Sequence, residues 1–171
     1  GHRVRGSGIE RRAVEEGSIV QMPSPEQMDI LYNLSDEVLY PQAVAFIHRL
    51  VDEEDCMPLP ASQVAGLLNI ANASSYSELN QFIRHQCERD WQASKKDIKT
   101  FYTELDKLFT AIKNKRIRED FPLVSSGTNT KEMNKEIDEL MALVAHEFIQ
   151  HLITENMLLL VEKANQRTRK W

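Results

Sequence analysis

Residues 94–118 read SKKDIKTFYTELDKLFTAIKNKRIR, and this stretch decides the fold class. On a helical wheel its apolar side chains fall within an arc of roughly 120°, the pattern of a helix with one buried face. The arc contains Ile98, Phe101, Tyr102, Leu105, Leu108, Phe109 and Ile112. Almost no segment of the chain alternates apolar and polar residues as a half-buried strand would. The stretch therefore predicts a long amphipathic helix within an all-α fold.

Helix starts and breaks can be placed around this stretch. Residues 24–27, SPEQ, combine an N-cap serine, a proline at the first helical position and a capping-box glutamine. Residues 75–78, SYSE, repeat the capping-box pattern. Pro58 and Pro60 interrupt the chain, and residues 121–130 form the longest loop expected inside the domain. This punctuation predicts a helical bundle of five or six helices.

Three boundaries rest on weaker signals. We expect Ser35 and Pro41 to bracket the start of a new helix after a short first one. Ser94 either caps a fresh helix or lies within a continuing one. Asn129, with Glu132 three residues later, is expected to begin the last helix.

Length and composition favour one folded domain. The chain has 171 residues, enough for a single core, and we assign that domain to residues 24–171. Residues 1–23 hold four of the six glycines and little periodicity. We interpret them as a flexible arm, or as the remnant of a cloning or upstream segment.

Charge and cysteine content exclude several functional classes. The net charge of −5 leaves only local basic patches as an argument for nucleic-acid binding. The two cysteines form no Cys-x-x-Cys pair, so a disulfide framework or a four-ligand zinc site is not expected and a reducing cytoplasm fits best. No apolar run approaches the roughly 18–20 residues that a transmembrane helix needs, and we expect no membrane association.

Residues 146–151, HEFIQH, resemble a zinc-protease signature with one residue too many. Histidines five apart on a regular helix point about 140° away from each other, so His146 and His151 cannot share one metal ion. The same segment carries an ordinary buried stripe. Its members are Ile137, Leu140, Met141, Val144, Phe148 and Leu152.

Other catalytic patterns are equally weak. Glycine-rich phosphate loops and the nucleophile elbow are absent from the sequence. Cys87 and His85 are two residues apart and do not face each other on a helix, and the acidic residues 52–55 lack EF-hand spacing. We therefore expect no catalytic residues, no metal, no cofactor and no enzymatic activity.

Basic side chains occupy much of the opposite side of the 94–118 helix. They are Lys95, Lys96, Lys99, Lys107, Lys113 and Arg118. Arg84 and Arg89 on the preceding helix extend this set, whereas Glu104 and Asp106 interrupt it. Such a row could follow a phosphate backbone without reading sequence. The alternative is a solvated outer face whose lysines serve solubility.

Two short segments resemble a known family. Residues 59–64, LPASQV, resemble the Thr/Ser-Gln-Ile helix start of small helical subunits in CRISPR effector complexes, particularly of type III. Residues 142–146, ALVAH, are similar to the Ala-(Leu/Ile)-Val-Ala-Tyr-His segment in the last helix of that family. Arg89 lies where the family has a Tyr-Ala-x-x-Arg helix. Ala65 and Gly66 stand where an arginine usually follows Ser-Gln-Ile.

The resemblance implies a non-catalytic structural subunit of a ribonucleoprotein. Its expected partners are the backbone subunits of the complex, the crRNA with its target or displaced strand, and other copies of itself. The basic side of residues 94–118 would line the strand, and apolar residues 158–161 would contact neighbouring subunits. A protein-only helical adaptor or regulatory bundle is the competing interpretation.

Overall fold

The computed structural model describes residues 24–73, 75–119 and 130–169. The expected arm, residues 1–23, and residues 121–129 of the expected loop lie outside these ranges, as does the proposed cap Asn129. Within the described ranges the chain forms five helices and no strand, which confirms the predicted all-α bundle. The helices are α1 (residues 25–53), α2 (Ala61–Ala73), α3 (Tyr76–Glu88), α4 (residues 96–119) and α5 (Thr130–Arg169).

The first helix, α1, is longer than predicted. It joins four consecutive segments, and the second and fourth are wide π-helical turns: Pro25–Leu34, Ser35–Leu39, Tyr40–His48 and Arg49–Glu53. At its start the predicted capping box is confirmed, since Gln27 N–H donates to Ser24 Oγ and Ser24 N–H donates to Gln27 Oε1.

The predicted break between Ser35 and Pro41 is wrong. In a regular helix a proline ring clashes with the carbonyl four residues before it. Here the wide turn, in which Tyr40 N–H donates to Ser35 O, directly precedes Pro41 and makes room for its ring. Ser35 is buried, and its hydroxyl lies 2.8 Å from His151 Nε2 on α5. The serine thus joins two helices rather than capping one.

The loop after α1, residues 54–60, is fixed at both ends. Asp55 adopts the left-handed conformation with φ 60°, and Cys56 N–H donates to Leu50 O over 2.8 Å. Further along, the amide of Asn156 on α5 pairs with the backbone of Leu59 through bonds of 2.7 and 2.9 Å. Asn156 is only 1% exposed, so this polar side chain is buried and fully engaged.

The chain breaks clearly between α3 and α4. Ser75 Oγ accepts the backbone N–H of Glu78 at the start of α3, which confirms the N-cap half of the predicted capping box. After Glu88 the backbone of Arg89 is extended, and Trp91 Nε1 donates to Gln86 O over 2.7 Å. Ser94 lies exposed in the short 3₁₀ turn Ala93–Lys95 and makes no cap. Both interpretations of Ser94 are therefore wrong.

The core surrounds α5, which packs against α1, α2 and α3. All six residues of the predicted α5 stripe are buried, as are six of the seven in the α4 arc; Leu108 is partly buried. Phe148 of α5 meets Phe46 of α1 and Phe109 of α4 edge to face. At 40 residues α5 is about 60 Å long. None of the helices in the described ranges has an apolar stretch able to cross a bilayer.

Candidate nucleic-acid interface

Helix α4 presents its predicted basic residues on the outside because its apolar arc faces the bundle. Lys95, Lys96 and Lys99 are exposed at its first turn. No ion pair involves these three lysines within the part of the chain that the structure describes. We call these three residues the lysine cluster.

The acid closest in sequence to the lysine cluster is engaged elsewhere. Asp97 is half-buried, and its Oδ2 accepts the backbone N–H of Met57 over 2.9 Å. Lys95 is the N-cap of α4, and no side chain caps this end. The N–H groups of Lys95 and Lys96 already donate to Gln92 O and Ala93 O of the preceding 3₁₀ turn, and Asp97 adds one negative charge to the first turn. The three ammonium groups still outnumber this single carboxylate at the positive end of the helix dipole. An anion is the natural ligand for such an arrangement.

The C-terminal half of α4 differs, because its lysines are paired. Lys107 Nζ lies 3.1 Å from Glu104 Oε2, and Arg49 of α1 binds the other oxygen of the same carboxylate at 3.1 Å. Lys113 Nζ lies 3.1 Å from Asp138 of α5 and 5.3 Å from the centre of the Tyr76 ring. These partners neutralise two positions of the predicted row.

Glu104 compensates positive charge in the C-terminal half of α4. Its hydrogen bond with Lys107, followed by that with Arg49, lowers the pKa of its carboxyl group. The carboxylate is therefore held charged between two cations. Little positive potential remains there for a phosphate group.

The remaining predicted residues lie at the edges. Arg84 Nε on α3 is 3.8 Å from Asp106 Oδ1, so it too has an acidic neighbour. The guanidinium of Arg89 stacks 4.4 Å above the Trp91 ring, and Arg118 is exposed near the end of α4. Lys115, which was not predicted, is also exposed and lies in the π-helical turn Ile112–Arg116.

The zinc-like segment HEFIQH is used for packing. His151 bonds Ser35 and lies 5.3 Å from the ring of Tyr40, centre to centre, while His146 and Glu147 are half-buried. Across the described residues no group of three histidine, cysteine or acidic side chains is placed to hold a metal ion. Burial raises the pKa of the Cys87 thiol, which disfavours the nucleophilic thiolate.

Two polar clusters were missed at the sequence level. One is the Asn156 clamp on Leu59, and the other centres on His48 of α1, which lies 2.7 Å from Glu155 and 2.8 Å from Asp52. The hydrogen bond with Glu155, then that with Asp52, raises the pKa of His48. His48 and Asp52 are four residues apart, a spacing that could have signalled their contact, but nothing in the sequence pairs either with Glu155.

The chain matches no family model, and no curated protein or solved structure is significantly similar to it.

Proposed function

We propose that this protein is a non-catalytic structural subunit of a CRISPR ribonucleoprotein effector complex. It holds the crRNA–target duplex or the displaced strand through sequence-independent contacts to phosphates, and it contacts neighbouring subunits. The observation that carries the proposal is the lysine cluster at the start of α4, whose ammonium groups have no acidic partner among the described residues.

The position of the lysine cluster supports a binding role. Cations at the N-terminus of a helix oppose the helix dipole, so Lys95, Lys96 and Lys99 do not serve the stability of α4. Residues that break a local rule without a structural gain are expected at functional sites. A bound phosphate would offset the repulsion between the lysines and the positive end of the helix dipole, because its negative charge attracts both.

The chain as a whole has a net charge of −5, so a positively charged surface can exist only where acidic residues do not balance the basic ones. Glu104, Asp106 and Asp138 balance basic residues further along the helix and on α3, whereas Lys115 and Arg118 near the end of α4 are exposed. A few phosphate contacts per subunit give weak binding alone. Several copies along one strand would add their contacts and bind firmly.

The segments that resemble the family occupy distinct environments. Ser62 is exposed in the first turn of α2, and Gln63 beside it accepts the hydroxyl of Tyr102 from α4. Val144 and Ala145 are buried in α5. The first segment therefore contacts α4 directly, which couples the α2 start to the helix that carries the lysine cluster.

The proposal is tested on the complex purified through a tagged copy of this chain. We expect a nuclease-sensitive RNA to co-purify, and the complex to bind a labelled target strand. Lys95→Glu/Lys99→Glu should weaken target binding roughly tenfold at low salt, because two phosphate contacts become repulsive. Lys131→Glu/Lys135→Glu is the matched control, since these lysines are exposed and also four apart, but lie on α5. Unchanged target binding by the first variant would contradict the proposal.

A protein-only adaptor is the second candidate, and one observation favours it. Leu158 and Val161 near the C-terminal end of α5 are 59% and 56% exposed and lie one turn apart on the helix, so together they form a small exposed apolar area. They offer a contact for another helix without any nucleic acid. Co-purification of protein partners with no RNA would favour this function.

A further inference from the structure

A cavity of about 300 Å³ lies beside the lysine cluster. The 54–60 loop, the start of α4 and the C-terminal part of α5 enclose it. Its walls are mainly apolar, with Met57, Pro58, Pro60, Ile98 and Leu160, and also include the carboxylate of Asp97. Lys95 also lines the cavity, so the apolar space and the lysine cluster share one residue.

Polar contacts fix three of the residues that line the cavity, Met57, Leu59 and Asp97. Asn156 binds both backbone groups of Leu59, and Asp97 accepts the N–H of Met57. These bonds fix the loop to α5 and to α4 before any ligand arrives. A preformed site loses less entropy on binding than one that must be ordered.

We propose that this cavity receives one unstacked base of a single-stranded nucleic acid whose phosphate is bound by Lys95. The inference rests on the proposed function, because the strand must first lie along the lysine cluster. A nucleobase is flat and largely apolar on its faces, and a cavity of this volume accommodates it. The proline rings and the thioether of Met57 suit contact with a π surface.

Charge complementarity selects this occupant over an apolar protein side chain. The cavity is lined by the ammonium group of Lys95 and by the carboxylate of Asp97, whose Oδ2 accepts the N–H of Met57. Lys96 and Lys99 are exposed nearby on α4, so three ammonium groups face one carboxylate and the approach to the cavity has a net positive charge. In a nucleotide the phosphate would contact the ammonium group of Lys95, and the base would contact the apolar walls of the cavity. An apolar side chain would contact the walls and leave the ammonium group of Lys95 without a partner.

The test compares two labelled strands of equal length by fluorescence anisotropy with the complex purified through a tagged copy of this chain. One strand carries ordinary bases, and the other carries abasic residues throughout, so both have the same phosphates. We expect the ordinary strand to bind roughly fivefold tighter, the effect of burying one base face in an apolar site. Leu160→Gln should remove that difference, whereas Leu158→Gln, on the same helix but outside the cavity, should retain it.

The outcomes separate this inference from the proposed function. Equal binding of both strands, with loss in Lys95→Glu/Lys99→Glu, would overturn the base site and leave the phosphate contacts intact. No binding of either strand at low salt would overturn both proposals.

A strand difference that survives in Leu160→Gln and in Met57→Gln would place the base elsewhere. Met57 is 48% exposed, so its replacement leaves the core intact and serves if Leu160→Gln does not fold. Loss of a co-purifying protein from Leu160→Gln, with strand binding unchanged, would assign the cavity to a protein side chain instead.

Discussion

The two halves of α4 carry similar basic residues in different electrostatic surroundings. At the start, Lys95, Lys96 and Lys99 project into solvent and no described acid pairs with them. In the second half, Lys107 and Lys113 each lie 3.1 Å from a carboxylate. The difference shows that a helical wheel cannot tell which basic residues of a helix are unpaired. Acidic residues on other turns and other helices form ion pairs with some of them.

The largest expected effect comes from removing the Asn156 side chain, which binds the 54–60 loop to α5. Asn156→Ala leaves the buried N–H and C=O of Leu59 without partners, so we expect the free energy of unfolding to fall by about 2–3 kcal/mol. Urea unfolding measures the change. Asn165→Ala, an exposed asparagine on the same helix, is the control and should cost less than about 0.5 kcal/mol. Equal stability of the two variants would contradict the role of the clamp.

A smaller effect should follow from freeing a paired lysine. Asp138→Asn releases the ammonium group of Lys113, which should tighten single-strand binding about twofold to threefold at low salt. Stability should change by less than about 1 kcal/mol, because the pair is partly exposed. Anisotropy titration gives the affinity. In a Lys113→Gln background the same change should have no effect, and an equal gain there would show that Lys113 is not responsible.

The smallest effect concerns pH. The lowered pKa of Glu104 means that its contribution to stability is present above the unfolded value of about 4.3 and is lost as pH falls through the native pKa. The free energy of unfolding of wild type should therefore exceed that of Glu104→Gln by less than about 1 kcal/mol at pH 7, and the difference should shrink as the pH is lowered to 3.

Lys99→Gln is the reference for the other half of α4, since it removes a cation that has no described acidic partner. Its difference from wild type should not change between these pH values. Urea unfolding midpoints at pH 7 and pH 3 test both predictions. A stability difference between wild type and Glu104→Gln that is as large at pH 3 as at pH 7 would show that ionised Glu104 does not cause it.

The apolar pattern predicted the fold well because helical period and burial are local properties. The arc of α4 and the stripe of α5 were both identified correctly, since each residue's side of the helix follows from its sequence position. The continuity of α1 was missed because a π-helical turn accommodates Pro41, and no periodicity signals such a turn.

The candidate site was predicted only in part. All eight basic residues could be named from sequence, but their pairing depends on tertiary contacts such as Asp138 with Lys113, which lie 25 positions apart. The cavity beside Lys95 depends on Asn156 and the 54–60 loop, which approach α4 only in the folded chain. Neither feature has a sequence signature.

The salt dependence of strand binding tests the central claim most directly. The slope of log K against log salt should become shallower by about 1.4 in Lys96→Gln/Lys99→Gln, because two counterion-releasing contacts are lost. In Lys107→Gln/Lys113→Gln the slope should stay as in wild type, since those ammonium groups already contact carboxylates. Equal slopes for the two double variants, or a larger change in the second, would contradict the claim that Lys96 and Lys99 carry free charge while Lys107 and Lys113 do not.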